Sequence, residues 1–477
     1  MKSVSRRMRS DWNRRARSDA LYYVALGRPS QSPEAFLRGG EDLVRGLEKE
    51  LRRIPNFPDA SQARRALEIG CGPGRLMLPL SRHFSEIQGV DVSEEMVWLA
   101  RRNLAGVGHA QVRAVDGTDL AQFAGESFDF VYSYAVFQHI PSREVVLNYL
   151  KETRRVLRTG GIARLQFNGL AEGVRKYDTW RGVRFTADEI ARFAQDHHLQ
   201  LLALEGAGTP YMWSTFAKPP EGWSEALRRA AAEAPRISIR KITDASASAP
   251  AVPAHGRHAA FALWVEGLPS NADLNTLRVN VGGRESSLTY IGMPQIDGLV
   301  QVTGNLPEGL TTGIQPVHLI WANAPCPCES FLRVIPPGPE APRIVAVTDS
   351  VFAGAERIIS SNRVRVHLEG TDRPEDLCGS VDRRTARRAA LVCTAPGIPR
   401  FEIDFKLPAG CSVGPKQLEC RLGPRFLGTF EIVVAPERFW WRRRLHPAEL
   451  YQAARRGLWA WQEKRLRNSP GSGYLGS

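Results

Sequence analysis

A glycine-rich turn followed by an acidic residue is the part of this 477-residue sequence that most directly indicates chemistry. The turn reads Glu68-x-Gly70-x-Gly72-x-Gly74, and Asp91 follows within Gly-Val-Asp-Val-Ser. Glycines let backbone N–H groups approach a ligand where a Cβ would collide, and an acid after the next strand can accept the hydroxyls of a ribose. The pattern therefore predicts a nucleotide-like ligand.

The spacing of the glycines separates this turn from that of dinucleotide-binding proteins. Their fingerprint is G-x-G-x-x-G, and it holds a pyrophosphate at a helix N-terminus. Here Glu68 precedes the first glycine, and Arg75 stands where a small packing residue would be expected. An acid at this place would repel a phosphate and attract an ammonium group.

This combination resembles motif I of the class I S-adenosylmethionine (SAM) methyltransferases, and residues 10–217 are similar to bacterial type 11 members of that family. The resemblance implies a SAM-dependent methyltransferase with SAM as its cofactor. Besides motif I, it rests on Asp-Trp-Asn-Arg-Arg-Ala (11–16), Gly-Val-Asp-Val-Ser-Glu-Glu-Met (89–96), Asp-Gly (116–117), Phe-Asp-Phe-Val-Tyr-Ser (128–133), Val-Phe-Gln-His-Ile (136–140), Leu-Arg-Thr-Gly-Gly (157–161) and Gly-Ala-Gly-Thr-Pro-Tyr-Met-Trp (206–213).

The resemblance implies a role for each part of the cofactor site. Glu68 would lie near the ammonium group of SAM, and Asp91 would accept the ribose hydroxyls. Asp116 would meet the adenine, although an acid at this place is also a common turn or N-cap residue. The cofactor-binding candidates are Glu68, Gly70, Cys71, Gly72, Gly74, Asp91, Val92, Met96, Asp116, Gly117 and Ser133.

His139 is the candidate catalytic residue, because it follows the fourth strand at the edge of the sheet where ligands bind. An oxygen or nitrogen acceptor must lose a proton, and the ordinary pKa of histidine suits that task. A structural role in the pocket wall is the alternative reading. The candidates for the substrate pocket are Trp12, Tyr22, Tyr23, Tyr134 and Gln138, where ordinary helix packing is the alternative for the aromatic residues of the N-terminal helix.

The segment after the fourth strand also restricts the substrate. Enzymes that methylate the exocyclic amines of bases carry Asn/Asp-Pro-Pro-Tyr there, whereas this chain has Ser133-Tyr-Ala-Val136. That difference argues against nucleic acid and favours a small-molecule, saccharide or lipid-linked acceptor. A SAM-binding scaffold without turnover is the competing interpretation.

Short apolar stretches alternate with helical ones in the N-terminal part, which predicts a doubly wound α/β sheet. Seven strands are expected, the last of them antiparallel, as in the Rossmann-like methyltransferases. Their predicted ranges are Arg65–Ile69, Glu86–Val90, Ala110–Ala114, Phe128–Tyr134, Ile162–Phe167, Leu199–Leu204 and Tyr211–Ala217.

Residues after 217 change to an all-β pattern that repeats. Pro235-Arg-Ile recurs as Pro342-Arg-Ile, and Asn305-Leu-Pro-Glu-Gly recurs as Lys406-Leu-Pro-Ala-Gly. Units of this size resemble tandem immunoglobulin-like (IPT/TIG-type) sandwiches, expected to recruit a substrate or partner. The predicted divisions are a helical cap (1–60), the methyltransferase domain (61–218), a helical connector (219–234), β module 1 (235–325), a Pro-rich linker (326–341), β module 2 (342–436) and a C-terminal helix and tail (437–477).

Charge and cysteine content bear on partners and compartment. The formal net charge is +14, and a Trp- and Arg-rich helix predicted at 437–467 would suit an anionic membrane surface or packing on the protein itself. The seven cysteines show no zinc-binding spacing, so no metal is expected. Without an export signal, we expect a cytoplasmic protein with reduced thiols, peripheral at the inner membrane face if the helix binds lipid.

Overall fold

The computed structural model describes residues 2–25, 33–57, 63–170, 177–232, 236–245, 248–256, 258–326, 330–337, 342–350, 357–371, 373–395 and 400–435. The helix and tail predicted at 437–477 lie outside these residues. The chain divides into two compact units, one formed by residues 1–20 and 32–338 and the other by residues 21–31 and 339–477. Among the described residues, no helix combines the length and the apolar character needed to cross a membrane.

The helices lie mainly in the N-terminal half of the chain. Helix α2 begins at Pro33, a residue suited to the first turn because it lacks an N–H group. Helix α1 has a non-helical residue, Asp19, in its second half. The helices are α1 (Lys2–Ala25), α2 (Pro33–Leu51), α3 (Met77–Leu80), α4 (Glu94–Asn103), α5 (Arg143–Val156), α6 (Ala187–Asp196) and α7 (Trp223–Ala232).

Seven strands form the sheet of the N-terminal α/β region in the order β3-β2-β1-β4-β5-β7-β6. Strand β7 is antiparallel to both β5 and β6, as expected from the sequence. The strands are β1 (Arg65–Ile69), β2 (Glu86–Asp91), β3 (Ala110–Ala114), β4 (Phe128–Ser133), β5 (Leu157–Phe167), β6 (Gln200–Glu205) and β7 (Met212–Ala217). Strand β5 begins earlier than predicted, because Leu157 already pairs with Phe128 ahead of a register shift.

Two β modules follow, and their strands are connected in the same order. The first has the order β8-β10-β13-β12-β11-β14-β16-β9, and the second β17-β19-β22-β21-β20-β23-β24-β18. The strands of the first are β8 (Ser238–Asp244), β9 (Ala251–Pro253), β10 (Ala260–Glu266), β11 (Leu277–Val281), β12 (Arg284–Pro294), β13 (Val300–Asn305), β14 (Gly313–Trp321), β15 (Ala324–Pro325) and β16 (Ser330–Ile335). Those of the second are β17 (Arg343–Asp349), β18 (Ile358–Ile359), β19 (Arg363–Glu369), β20 (Leu377–Val381), β21 (Arg384–Ala395), β22 (Arg400–Lys406), β23 (Gly414–Leu422) and β24 (Arg425–Val434).

The structure differs from the predicted Pro-rich linker at 326–341. Strand β16 lies within that range and pairs with β14 and β9, so it belongs to the first module. The prolines flank the strand instead of interrupting it, because Ser330–Ile335 contains none.

The first β module continues the sheet of the N-terminal α/β region. Tyr290 of β12 pairs with Ala203 of β6, so the edge strand of one sheet is covered by the next. Arg53, after α2, donates to the Ile291 carbonyl at 2.7 Å and lies 5.0 Å from the Tyr290 ring. These contacts join the two parts within one compact unit.

Asp273 forms a second connection between these parts. Its side chain is 1% exposed, and Oδ2 accepts the Leu201 N–H of β6 at 3.2 Å. Oδ1 accepts the N–H groups of Asn275 and Thr276 at 3.1 and 2.9 Å. The carboxyl group thus satisfies buried donors on both sides of the junction.

Replacing Asp273 by Ala should lower the free energy of unfolding by about 2–4 kcal/mol, because several buried N–H groups lose their acceptor. Asp297→Ala is the matched control, since the Asp297 carboxylate accepts an N–H at an exposed turn. It should change stability by less than about 0.5 kcal/mol. Urea unfolding of both variants tests this, and equal losses would contradict the role given to Asp273.

Candidate active site

The glycine-rich turn leaves β1 and bends back over the end of β2. The N–H groups of Gly70 and Cys71 donate to the Val90 carbonyl at 2.8 and 3.0 Å. Gly70 has φ of +72°, and a Cβ there would lie 2.3 Å from Cγ2 of Val136. Only glycine can combine this backbone conformation with this close approach to the loop after β4.

Asp91 holds the turn in place at the end of β2. Its Oδ2 accepts the Gly72 N–H at 2.9 Å, and its Oδ1 accepts the Ser93 N–H at 2.8 Å. Burial raises the pKa of Asp91 to about 6, although these backbone donors oppose the shift. Each oxygen of a carboxylate can accept more than one hydrogen bond, so Asp91 retains acceptor capacity for a ligand.

Glu68 is a second acid beneath the turn. Its Oε2 accepts the Tyr132 hydroxyl at 2.9 Å, and the two residues are register neighbours on β1 and β4. Burial raises the pKa of Glu68 well above its usual range; the Tyr132 bond opposes the shift and the nearby Asp91 adds to it. A cationic group placed beside Glu68 would favour its ionised form.

Asp116 and Gly117 form the corresponding turn after β3. Oδ1 of Asp116 accepts both the N–H and the hydroxyl of Thr118, at 3.0 and 2.9 Å, so this acid does act as a turn residue. Gly117 has φ of +82°, and a Cβ there would lie 2.8 Å from Cγ2 of Val92. Val92 and the Asp-Gly turn therefore lie together, as the sequence analysis expects of an adenine site.

The remaining cofactor candidates have different surroundings. The Met96 side chain is buried, and its N–H donates to the Ser93 hydroxyl that caps α4. Ser133 is also buried, and its hydroxyl donates to the Ile69 carbonyl at 3.0 Å. Gly74 donates to the Cys71 carbonyl at 2.9 Å, and burial raises the pKa of the Cys71 thiol. The side chains of Met96 and Ser133 are thus engaged inside the domain.

Helix α1 crosses the carboxyl ends of several strands. The Ser5 hydroxyl donates to the Asp116 carbonyl, and Arg9 donates to the Val115 carbonyl at 3.0 Å. Further along, the Ser93 hydroxyl donates to Oδ1 of Asn13 at 2.7 Å. The helix therefore covers the edge at which β2 and β3 end. Asn13 lies in the segment 11–16 that carries part of the resemblance, whereas Ser5 and Arg9 could not be recognised because each is an ordinary residue of a basic helix.

Trp12, on the same helix, packs against His139. The two rings are 5.4 Å apart in an edge-to-face arrangement, and the Trp180 ring lies 5.1 Å from His139. The Arg15 guanidinium lies over Trp12 at 4.7 Å and over Trp180 at 5.1 Å. Helix α1 thus brings one predicted site residue, Trp12, into contact with another, His139.

Hydrogen bonds determine the form of the His139 imidazole. Nδ1 lies 2.9 Å from the Trp180 carbonyl, which can only accept, so Nδ1 carries the proton. Nε2 lies 3.3 Å from Nε2 of Gln138 and accepts from that amide. The neutral ring therefore has its acceptor lone pair on Nε2, which is the nitrogen that could take a proton in place of the Gln138 hydrogen bond.

Gln166 of β5 is a site residue that the sequence analysis missed. Its side chain is fully buried; Oε1 accepts the Ala135 N–H at 2.9 Å, and Nε2 donates to Oε1 of Gln138 at 3.2 Å. Nε2 also donates to the Pro210 carbonyl at 2.9 Å. Gln166 thereby links the loop after β4 with the β6–β7 turn. The signal available in the sequence was one amide inside the apolar strand Leu157–Phe167.

Ala135 is held in an unfavourable backbone conformation by this network. It has φ of +56°, which is uncommon for a residue other than glycine. Beside it, Tyr134 stacks on Trp213 with ring centroids 5.5 Å apart, and the Arg164 guanidinium lies 5.0 Å from the Trp213 ring. Strained residues cluster at functional sites. The loop after β4 thus combines strain with an aromatic surface.

Tyr22 and Tyr23 were also predicted at the substrate pocket. They belong to the other compact unit, and their rings contact each other at 5.2 Å. Their place over the cofactor stays a prediction.

Comparison with known proteins agrees with this geometry. Residues 67–165 match the family described as "Methyltransferase domain". A ubiquinone biosynthesis O-methyltransferase of Sinorhizobium fredii is 34% identical over 24% of this chain and 45% of its own length. The homologous enzyme of Brucella anthropi is 31% identical over 24% of this chain and 44% of its own length. The chain thus spans less than half the length of these curated relatives.

Solved structures give a weaker likeness. Magnesium protoporphyrin IX methyltransferase from Synechocystis PCC 6803 is 18% identical, covering 45% of this chain and 97% of that chain, with a TM-score of 0.34. A TM-score this low carries no argument about function. The matched sequence, the strand order and the turn geometry agree with one another, and residues 67–165 belong to a class I SAM-dependent methyltransferase domain.

Proposed function

We propose that this protein transfers the methyl group of SAM to an oxygen or nitrogen atom of a small-molecule, saccharide or lipid-linked acceptor. The observation that carries the proposal is the pair of acids at the glycine-rich turn, of which Glu68 is buried and Asp91 is partly buried. Asp91 fixes the turn through Gly72 and Ser93, and Glu68 lies beneath it without a salt bridge among the described residues. The curated relatives are named as O-methyltransferases, which supports an oxygen acceptor.

The residues fit the parts of SAM. A ribose offers two neighbouring hydroxyl donors, which match the acceptor capacity left on the Asp91 carboxylate. The ammonium group would favour ionised Glu68, whose pKa burial raises. The positive φ values of Gly70 and Gly72 let the backbone approach the ligand closely. Val92 and the Asp116–Gly117 turn would flank the adenine.

Bound SAM supplies an activated methyl group on a sulfonium, so the protein's main task is to position the acceptor. Holding two reactants in the reacting geometry lowers the barrier by several kcal/mol, up to about 11 kcal/mol in favourable cases. The loop after β4 suits this task because Gln166 fixes its backbone and the stacked Tyr134 and Trp213 rings form a rigid surface. Helix α1 covers the same edge of the sheet and would exclude water.

His139 is proposed to act in one of two ways. Its Nε2 lone pair could accept the proton that an acceptor hydroxyl loses. That lone pair already accepts the Gln138 amide, while Trp12 and Trp180 pack around the ring. These contacts favour a role in holding the pocket wall, with proton transfer as the alternative.

We propose immunoglobulin-like sandwiches for the two β modules, which have the same strand order. In both, one long strand, β12 or β21, pairs on both sides and joins two groups of strands. Their proposed role is to recruit a substrate or a partner.

The direct test is calorimetry with SAM and S-adenosylhomocysteine. The wild type should bind both, and Asp91→Ala should weaken binding by at least tenfold because the ribose loses its charged acceptor. Asp297→Ala, an exposed acid in β module 1, should bind as the wild type does. Failure of the wild type to bind SAM would overturn the proposal.

The acceptor is then sought by incubating labelled SAM with polar, glycan and lipid fractions of the host. Label should appear in one fraction with the wild type and should be absent with Asp91→Ala. Binding of SAM without transfer to any fraction would favour a SAM-binding scaffold over an enzyme.

The affinity for SAM should fall as the pH is lowered through about 6, because the pKa of Asp91 is raised to that value and its ionised form accepts the ribose hydroxyls. Binding should be about tenfold weaker at pH 5 than at pH 7, following the ionised fraction of one carboxyl group. The free energy of unfolding of the ligand-free protein should change in the opposite direction and fall as the pH is raised from 4 to about 6. Because its pKa is raised in the folded state, Asp91 holds its proton more tightly in the folded protein than in the unfolded chain. The stabilisation from this protonation is lost as the proton leaves.

Asp91→Asn is the control for this pH dependence. It preserves the shape of the side chain and removes the titration, so the remaining affinity should be nearly constant between pH 5 and pH 7. If the dependence persists in Asp91→Asn, it belongs to another group, of which Glu68 is the nearest acid with a raised pKa.

Gln166→Glu should reduce methyl transfer by at least tenfold and change SAM affinity by less than threefold. The new carboxylate would face the Phe167 and Pro210 carbonyls in place of a donor, which displaces the loop after β4. Gln111→Glu, at an exposed position of β3, is the matched control and should leave methyl transfer unchanged. Equal activity of the two variants in the labelled-SAM assay would contradict the positioning role of Gln166.

A further inference from the structure

β module 2 contains an open cavity of about 590 Å³. This volume lies in the range of small-molecule sites, about 300–1,000 Å³. Apolar residues form much of the wall, among them Ile359, Leu407, Val413 and Val434. Two cations, Arg387 and Lys406, also line it, and none of the described residues in its wall is Asp or Glu.

The two cations belong to a row of three that crosses the sheet. Lys406 of β22 is the register partner of Arg363 on β19 and of Arg387 on β21. All three side chains are exposed, and none forms a salt bridge with another described residue. Like charges directly opposite each other on neighbouring strands are destabilising. A bound anion would relieve this repulsion.

The first β module provides an internal comparison. The equivalent row on β10, β13 and β12 consists of Ala260, Asn305 and Ser287, in the same register. The fold therefore does not require positive charge at these places. The cations are a feature of the second module alone.

Other parts of the cavity wall are common to both modules. Arg384 donates to the Ala409 carbonyl in the second module, and Arg284 donates to the Glu308 carbonyl at 2.7 Å in the first. Both bonds fix the loop that follows the middle residue of the row. This loop is Leu-Pro-Ala-Gly after Lys406 in the second module and Leu-Pro-Glu-Gly after Asn305 in the first. This arginine has a structural role, whereas Arg387 and Lys406 remain available for a ligand.

We propose that the cavity of β module 2 binds a ligand that carries a phosphate group on an apolar body. The guanidinium of Arg387 can bind phosphate oxygens with two donors, and Lys406 adds a compact point charge. The apolar wall would cover the rest of the ligand. Phosphorylated lipids and soluble phosphorylated compounds share this chemistry. The proposal is independent of the methyltransferase activity.

The test compares the full chain with R387S/K406N, which introduces the residues found in the first module. Calorimetry with hexyl phosphate should show at least tenfold weaker binding to the double variant, and hexyl phosphate should bind the wild type more tightly than inorganic phosphate does. K241N/R333S removes the same charge from exposed strand positions of the first module and should bind as the wild type does. Because two repelling cations are removed, R387S/K406N should unfold at the same temperature as the wild type or higher.

Two outcomes would overturn the proposal. One is equal binding of hexyl phosphate by the wild type and R387S/K406N, and the other is an equal loss in K241N/R333S, which would show a general effect of net charge. Phenyl phosphate, a soluble compound with an apolar body, and phosphatidic acid vesicles then distinguish the two sources. If R387S/K406N binds one of these two probes more weakly while K241N/R333S binds it as the wild type does, the cavity binds ligands of that class.

Discussion

The hydrogen bonds from Gly72 and Ser93 to the Asp91 carboxylate are the interaction on which the rest of the site depends. They join the turn after β1 to the end of β2 and to the start of α4, which Ser93 caps. Desolvation raises the pKa of Asp91 to about 6, and backbone donors, Gly72 and Ser93 among them, keep it from rising further. One side chain thus fixes the backbone that a ligand approaches and remains an acceptor for that ligand.

A second network, centred on Gln166, fixes the loop after β4, where we propose that the acceptor binds. It ties the strained Ala135 to β5 and reaches His139 through Gln138. The two networks meet where Gly70 approaches Val136, at a distance that no side chain on residue 70 would permit. Displacement of the loop after β4 would therefore reach the cofactor turn. We infer that cofactor and acceptor positions are mechanically linked through this contact.

Much of the methyltransferase region could be predicted from the sequence, because its signals are local. Short segments of five or six residues, with apolar side chains at most of their buried positions, define the strands, and glycines with positive φ define the turns. Gln166 and Asp273 were missed since a buried polar residue shows its partners only after distant segments meet. The pairing of β6 with β12 was missed for the same reason, because edge pairing between two sheets leaves no periodic pattern. Strand β16 was not predicted because prolines and cysteines surround it in the sequence.

The two β modules show how one fold can acquire different surfaces. Their strand order is the same, and the arginine that fixes the loop after the cationic row is present in both. The first module carries Tyr290 and Asp273, which connect it to the methyltransferase sheet. The second has Ala390 and Arg373 at the equivalent positions of the repeat, so it lacks the groups that make this connection. It carries instead a cationic row beside a cavity, where the first module has neutral residues. Duplication followed by this exchange of surface residues would allow one copy to extend the α/β sheet and leave the other to bind the proposed ligand.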